Sequence, residues 1–125
     1  MKKFFFTLIF YSANLTLIVL YLFPCSILGY FLYSDCLLQP QITPNFIIST
    51  NHLYAFMVLT ILGIFTYHDS GKIKFLIKYL ILLSIILEFF HFIIPNRGFE
   101  IGDLFGNITG VILVVIIYKV RERYV

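Results

Sequence analysis

The sequence predicts an all-α fold: one bundle of four membrane-spanning helices with both termini in the cytoplasm. Three observations carry this expectation. Of the 125 residues, 61% are hydrophobic, 19% are aromatic and only 12% are charged, with a mean hydropathy of +0.99. Soluble domains run at roughly 45–50% apolar and about 25% charged. Apolar segments close to the ~20 residues that a bilayer core requires recur along the chain. The basic residues, finally, gather on one side of those segments. The length leaves no room for a second domain or a soluble catalytic module, so residues 1–125 are read as a single transmembrane domain.

The first span is expected from about Phe4 to Phe23, where Pro24 ends it by removing an amide donor and crowding the preceding turn. Lys2 and Lys3 before a long apolar run resemble a secretory leader. The run reaches Ser34 without a charge and ends in no small-x-small cleavage site, so it reads as an uncleaved span. Ile27 to Tyr33 would continue as an interfacial helix or a tilted extension. The second span is expected from Phe46 to Tyr67, and the third from Ile73 to Ile94, ended by Pro95. The fourth, Gly102 to Tyr118, is short, roughly 25 Å at the helical rise. His68, Asp69 and Gly71 are expected to form the turn before the third span and to cap it.

With both ends in the cytoplasm, Lys2, Lys3, Lys72, Lys74, Lys78, Lys119, Arg121 and Arg123 lie inside, and only Arg97 lies outside. The net charge of +3 then reflects topology and contact with anionic lipid, not nucleic-acid binding. Cys25 and Cys36 flank the outer boundary of the first span. A disulfide is open to them in an oxidising compartment, but the favoured reading is two small apolar fillers.

Against this apolar background, Glu88, Arg97, Glu100 and Asp103 crowd into one stretch between two predicted spans. Charge placed near a bilayer costs free energy and marks function. Glu88 and His91 share a helix face at i, i+3, and Asp103, Asn107 and Gly110 share another at i, i+4, i+7. Counted from the expected helix ends, His52 and Glu88 both lie about 9 Å below the outer boundary, with Asn107 at a similar depth. The candidate site is therefore Arg97, Asp103, Asn107, Glu88, His91 and His52, facing outward.

Three readings of this cluster stay open. Arg97 could pair with Glu88 and Asp103 in an ion network that joins two helices. The cluster could be an outward pocket for a polar or anionic headgroup, with Arg97 meeting phosphate or carboxylate. It could also support acid–base chemistry, with Glu88 or His91 as the base and Arg97 stabilising charge. No metal or other cofactor is expected: Glu88-x-x-His91 is a short pattern, and neither His-x-x-x-His nor a second ligand pair supports it. Gly102, Gly106 and Gly110 recur every four residues, a stripe that lets a helix approach closely. Packing within the chain is the favoured use of it, with an oligomer contact as the alternative.

Taken in order, His52, Glu88-x-x-His91, Pro95-x-Arg97, then Asp103-x3-Asn107-x2-Gly110 resembles the VanZ-like family of small bacterial membrane proteins, over roughly Asn51 to Tyr118. That family's pattern is a histidine opening one span, a glutamate followed three later by glutamine, a Pro-x-Arg turn, and an Asp-x3-Asn-x2-Gly helix. Here His91 stands in place of the glutamine, and Ile48-Ser49 stand where an Asp-Lys pair often precedes the histidine. The family's namesake is linked to teicoplanin resistance. The resemblance thus implies a protein of the bacterial inner membrane concerned with the cell envelope, its partner a membrane lipid or a lipid- or glycan-linked envelope precursor. It also makes Arg97, Asp103 and Asn107 stronger candidates than the histidines.

Overall fold

Prolines and short polar side chains set the helix ends in the computed structural model, which describes residues 1–45 and 47–125. The described residues form five helices and no strand: α1 (Lys2–Leu22), α2 (Ile27–Tyr33), α3 (Thr50–Tyr67), α4 (Ile73–Phe90) and α5 (Ile101–Tyr124). α1 stops because Phe23, held before Pro24, takes an extended ψ of 133°. Two residues on, Ser26 accepts the Gly29 amide at 2.9 Å and starts α2. α3 begins later than expected. Asn45 Oδ1 accepts the Thr50 amide at 3.0 Å, satisfying an orphan donor of the first turn. The expected start of this span, Phe46, lies outside the described residues.

α4 ends at Phe90 and not at Ile94, because the Pro95 ring would collide with the His91 carbonyl of a continuing helix. Asn96 then adopts a left-handed conformation, φ 60°, and swings Arg97 back toward α1. α5 runs six residues past Tyr118, giving roughly 36 Å of helix. Its last turns hold good helix formers: Tyr118 donates to Glu122 at 2.6 Å, and Arg121 and Arg123 suit the negative end of the dipole. The expected cap on α4 is absent. Its N-cap is Lys72, without a side-chain bond, and His68 and Asp69 contact each other at 3.0 Å.

Three helices, α1, α3 and α5, are long and apolar enough to cross a membrane. α4, the third of the four expected spans, falls outside this set because its 18 residues include Lys74, Lys78 and Glu88. α4 still packs against α1, α3 and α5. Phe56, Leu59, Leu80, Leu87 and Val111 fill the space between these helices, each almost wholly buried. Outward faces stay apolar, as with Phe4, Leu8, Leu15 and Val19 along α1. That is the inside-out pattern of a helix facing hydrocarbon.

The glycine stripe is turned onto α3. A Cβ at Gly106 would lie 2.6 Å from the Ser49 carbonyl oxygen, and one at Gly110 would lie 2.5 Å from that of Leu53. Gly102 adds a main-chain bond, its carbonyl accepting the Ser49 amide at 3.1 Å. The stripe is thus a seam within the chain. Because backbones touch there, α3 and α5 make the most extensive helix contact.

Cys25 and Cys36 are joined in a disulfide with Cα atoms 5.0 Å apart, correcting the expectation of two fillers. The bridge closes a segment of sequence separation 11 around α2. Loop closure of that length stabilises by roughly 3 kcal/mol in the chain-entropy account. The Cys25→Ser/Cys36→Ser double variant is expected to lower the melting temperature in detergent while leaving far-ultraviolet helicity intact. An unchanged melting temperature would refute it.

Candidate functional site

The polar residues converge where the end of α1, the start of α3, the end of α4 and the start of α5 meet. His52 lies in the first turn of α3 and Glu88 in the last turn of α4. Both are therefore nearer the helix ends than the count from Phe46 and Ile94 implied. Asn107 is wholly buried and organises the centre. Its Nδ2 donates to the Ser84 carbonyl at 3.1 Å, which fixes the amide's orientation and leaves Oδ1 as an acceptor. Tyr21 donates its hydroxyl proton to that oxygen at 2.6 Å. His52 Nδ1 lies 3.0 Å from the same oxygen, so Nδ1 carries the proton and donates.

That assignment leaves His52 Nε2 with a free lone pair. Nε2 lies 3.6 Å from Asp103 Oδ2, while Nδ1 is 3.9 Å from Glu88 Oε2. Glu88 is fully buried. Its Oε1 accepts the Glu100 amide at 3.2 Å and contacts His91 Nδ1 at 3.2 Å. His91 Nε2 donates to the Tyr21 carbonyl at 2.9 Å. The single proton between Nδ1 and Oε1 therefore belongs to the pair, as imidazolium–carboxylate or as imidazole–carboxylic acid. Glu88 Oε2 has no hydrogen-bond partner among the described residues.

Arg97 departs from expectation. Among the described residues it makes no ion pair with Glu88 or Asp103. Nε donates to the Phe23 carbonyl at 3.0 Å, and Nη2 donates to those of Leu20 at 2.8 Å and Cys25 at 3.2 Å. α1 has no basic residue in its own last turn, so its terminal carbonyls are served from across the bundle, by Arg97 and by His91. Burial pulls the Arg97 guanidinium below its ordinary pKa, against the opposing field of Glu88. Nη1 makes none of these bonds.

All six expected residues thus meet at one locus, but in two layers. His52, Asp103 and Asn107 form one, Arg97 and His91 hold α1, and Glu88 touches both. Tyr21 is the residue that sequence reasoning missed. Its ring stacks on His91 at 5.8 Å between centroids and its hydroxyl reaches Asn107 and His52 (3.0 Å to Nδ1). One of nine tyrosines in an aromatic-rich chain, it carried a single usable signal, its place in the last turn of the first span.

Two cavities adjoin the cluster. A polar one of about 380 Å³ is lined by His52, His91, Arg97, Glu100 and Asp103 among others. An apolar groove of about 860 Å³ runs between α1 and α3, past Leu8, Thr16, Leu20 and Val58. His52, His91 and Arg97 line both. Comparison with protein-family models, curated proteins and solved structures finds no match to this chain.

Proposed function

We propose that this chain is a VanZ-like protein of the bacterial cytoplasmic membrane that binds a lipid-linked envelope component, with the lipid chain in the groove and its headgroup in the polar cavity. The observation that carries the reading is the junction of the two cavities. Arg97 lines both, and its Nη1, which makes none of the three carbonyl bonds, is left to meet a phosphate joining tail to head. Asp103, Glu100 and the polar side chains beyond offer acceptors for the hydroxyl and amide groups of a glycan or peptide headgroup. A role in glycopeptide resistance of the teicoplanin type would follow from holding such a precursor, and rests on the motif from Glu88 to Gly110.

In this reading α4 also crosses the membrane, as the third of four spans, and both termini are cytoplasmic. Lys74 and Lys78 lie in the first two turns of α4, from which lysine stems reach the interface, and Glu88 is shielded inside the bundle. The disulfide supports an oxidising, outward location for the end that holds the cavity.

A second reading, a small intramembrane enzyme, draws on one observation: His52 borders the cavity with Nε2 free beside Asp103. The acid–base role would then pass to His52 from Glu88 and His91, which are buried at 0% and 3% exposure.

Native mass spectrometry of protein extracted from bacterial membranes tests the binding reading. The wild type is expected to carry an acyl or isoprenoid lipid, and Thr16→Trp, which fills the groove, to lose it with helicity unchanged. A lipid-free wild type, or equal occupancy in the folded variant, would refute it.

A further inference from the structure

We propose that His52, Glu88 and Asp103 form a binding site for a divalent metal ion of the zinc class, with a remaining coordination position open to the polar cavity. One nitrogen of His52 and one oxygen from each carboxylate lie within 4.8 Å of one another. His52 Nε2 lies 3.6 Å from Asp103 Oδ2, close to the distance between neighbouring ligands of a tetrahedral ion. With metal–ligand bonds near 2.1 Å, that distance is about 3.4 Å. Contraction of a few tenths of an ångström would bring this pair to it, and Glu88 Oε2 lies 3.9 Å from Nδ1 of the same ring.

A cluster of acids and a histidine is not enough to make a site, and a separate observation points to a ligand. Glu88 is wholly buried, and its Oε2 has no hydrogen-bond partner among the described residues, although Oε1 has two. Leaving a buried carboxylate oxygen unpaired costs free energy. The Glu100 amide and His91 hold the carboxylate so that this oxygen faces His52. A cation at that point supplies the missing partner.

The surroundings match what a metal-binding imidazole requires. Asn107, itself held by Ser84, takes the Nδ1 proton of His52 and thereby sets Nε2 free as the ligand nitrogen. Charge points the same way. With the His91–Glu88 pair neutral overall and His52 neutral, Arg97, Glu100 and Asp103 leave the locus at a formal charge of −1. One imidazole with two carboxylates favours zinc-like ions over magnesium or calcium, which take oxygen donors alone. No thiolate competes, since both cysteines are in the disulfide.

Glu88-x-x-His91 suggested no metal from sequence, and His91 is indeed not among these ligands. His52 from α3 and Asp103 from α5 complete the set with Glu88 from α4, a grouping that no local spacing announces. The site needs no lipid in the groove, so its test is separate from that of the lipid reading.

The test is titration of the purified, metal-stripped protein with Zn²⁺ in competition with a chromophoric chelator. The wild type is expected to bind one equivalent. Asp103→Asn and Glu88→Gln, which keep shape and remove charge, are each expected to weaken binding by more than the roughly 10–100-fold that losing an outer-shell partner costs. His68→Ala, at the exposed pair with Asp69, is expected to bind like the wild type. Helicity and melting temperature identify any variant that fails to fold. Absence of stoichiometric zinc on the wild type, or wild-type affinity in folded Asp103→Asn, would overturn the site. So would loss of binding in His68→Ala alone.

Discussion

Arg97→Ala is expected to destabilise the protein by about 2–4 kcal/mol, since three hydrogen bonds from a charged group are lost at once. The range lies below the sum of three full charge-assisted bonds because the guanidinium is partly open to the cavity. The substitution strips Leu20, Phe23 and Cys25 of their donors, and the end of α1 has no basic residue to replace them. Arg97→Lys should recover little, because an ammonium lacks the planar fork that reaches three carbonyls together. A double-mutant cycle between Arg97 and Asp103, read from thermal or denaturant unfolding in detergent, is expected to give a coupling below about 0.5 kcal/mol. A coupling of about 2 kcal/mol would restore the ion network in place of the capping role.

The difference between that ion network and the observed cap shows where reading a sequence stops. The gathering of Glu88, Arg97, Asp103 and Asn107 was legible, because charge is conspicuous in an apolar chain and helical spacing puts i, i+4 residues on one face. Arg97's partners were not legible. They are main-chain carbonyls, which no side-chain pattern marks, and they become available only because Pro24 ends α1 where it does. Opposite charge nearby in sequence suggested a salt bridge, but the Asn96 turn carries the guanidinium toward α1.

The helix limits follow the same division. Prolines made the ends of α1 and α4 readable to within a few residues. The C-terminal end of α5 was missed because hydropathy marks where a membrane span could end, while helix propensity continues through Lys119, Arg121, Glu122 and Arg123. In the same way α4 counted as a span by length, although its two lysines and one buried glutamate make it the most charged of the four long segments up to Tyr118. His52 was drawn into the cluster by depth and by its place in the motif order. The actual reason it belongs there is contact: the glycines of α5 bring α3 close enough for His52 to reach Asn107.

That contact makes Gly110→Leu the second substitution of large effect. A Cβ at this position would sit 2.5 Å from the Leu53 carbonyl oxygen and 3.1 Å from the Met57 amide nitrogen. Both are backbone atoms of α3, which cannot rotate away as a side chain can, so the helices must part. Separation loosens Phe56 and Val111, both fully buried near the seam, and overpacking of this kind costs about 1–3 kcal/mol for added methylenes alone. A leucine forced between two backbones is expected to exceed that range, and the ~1 kcal/mol of helix propensity gained by replacing glycine does not offset it. Gly98→Ala, where nothing lies within 4 Å, should be close to neutral and serves as the control. The seam also holds His52 3.0 Å from Asn107, one turn before Gly110, so parting the helices disturbs the cavity as well as the core. Gly106→Ala, with a Cβ 2.6 Å from the Ser49 carbonyl, should therefore lose zinc affinity at a temperature where the fold persists. A Gly110→Leu variant as stable as the wild type would mean that α3 and α5 do not meet along this stripe.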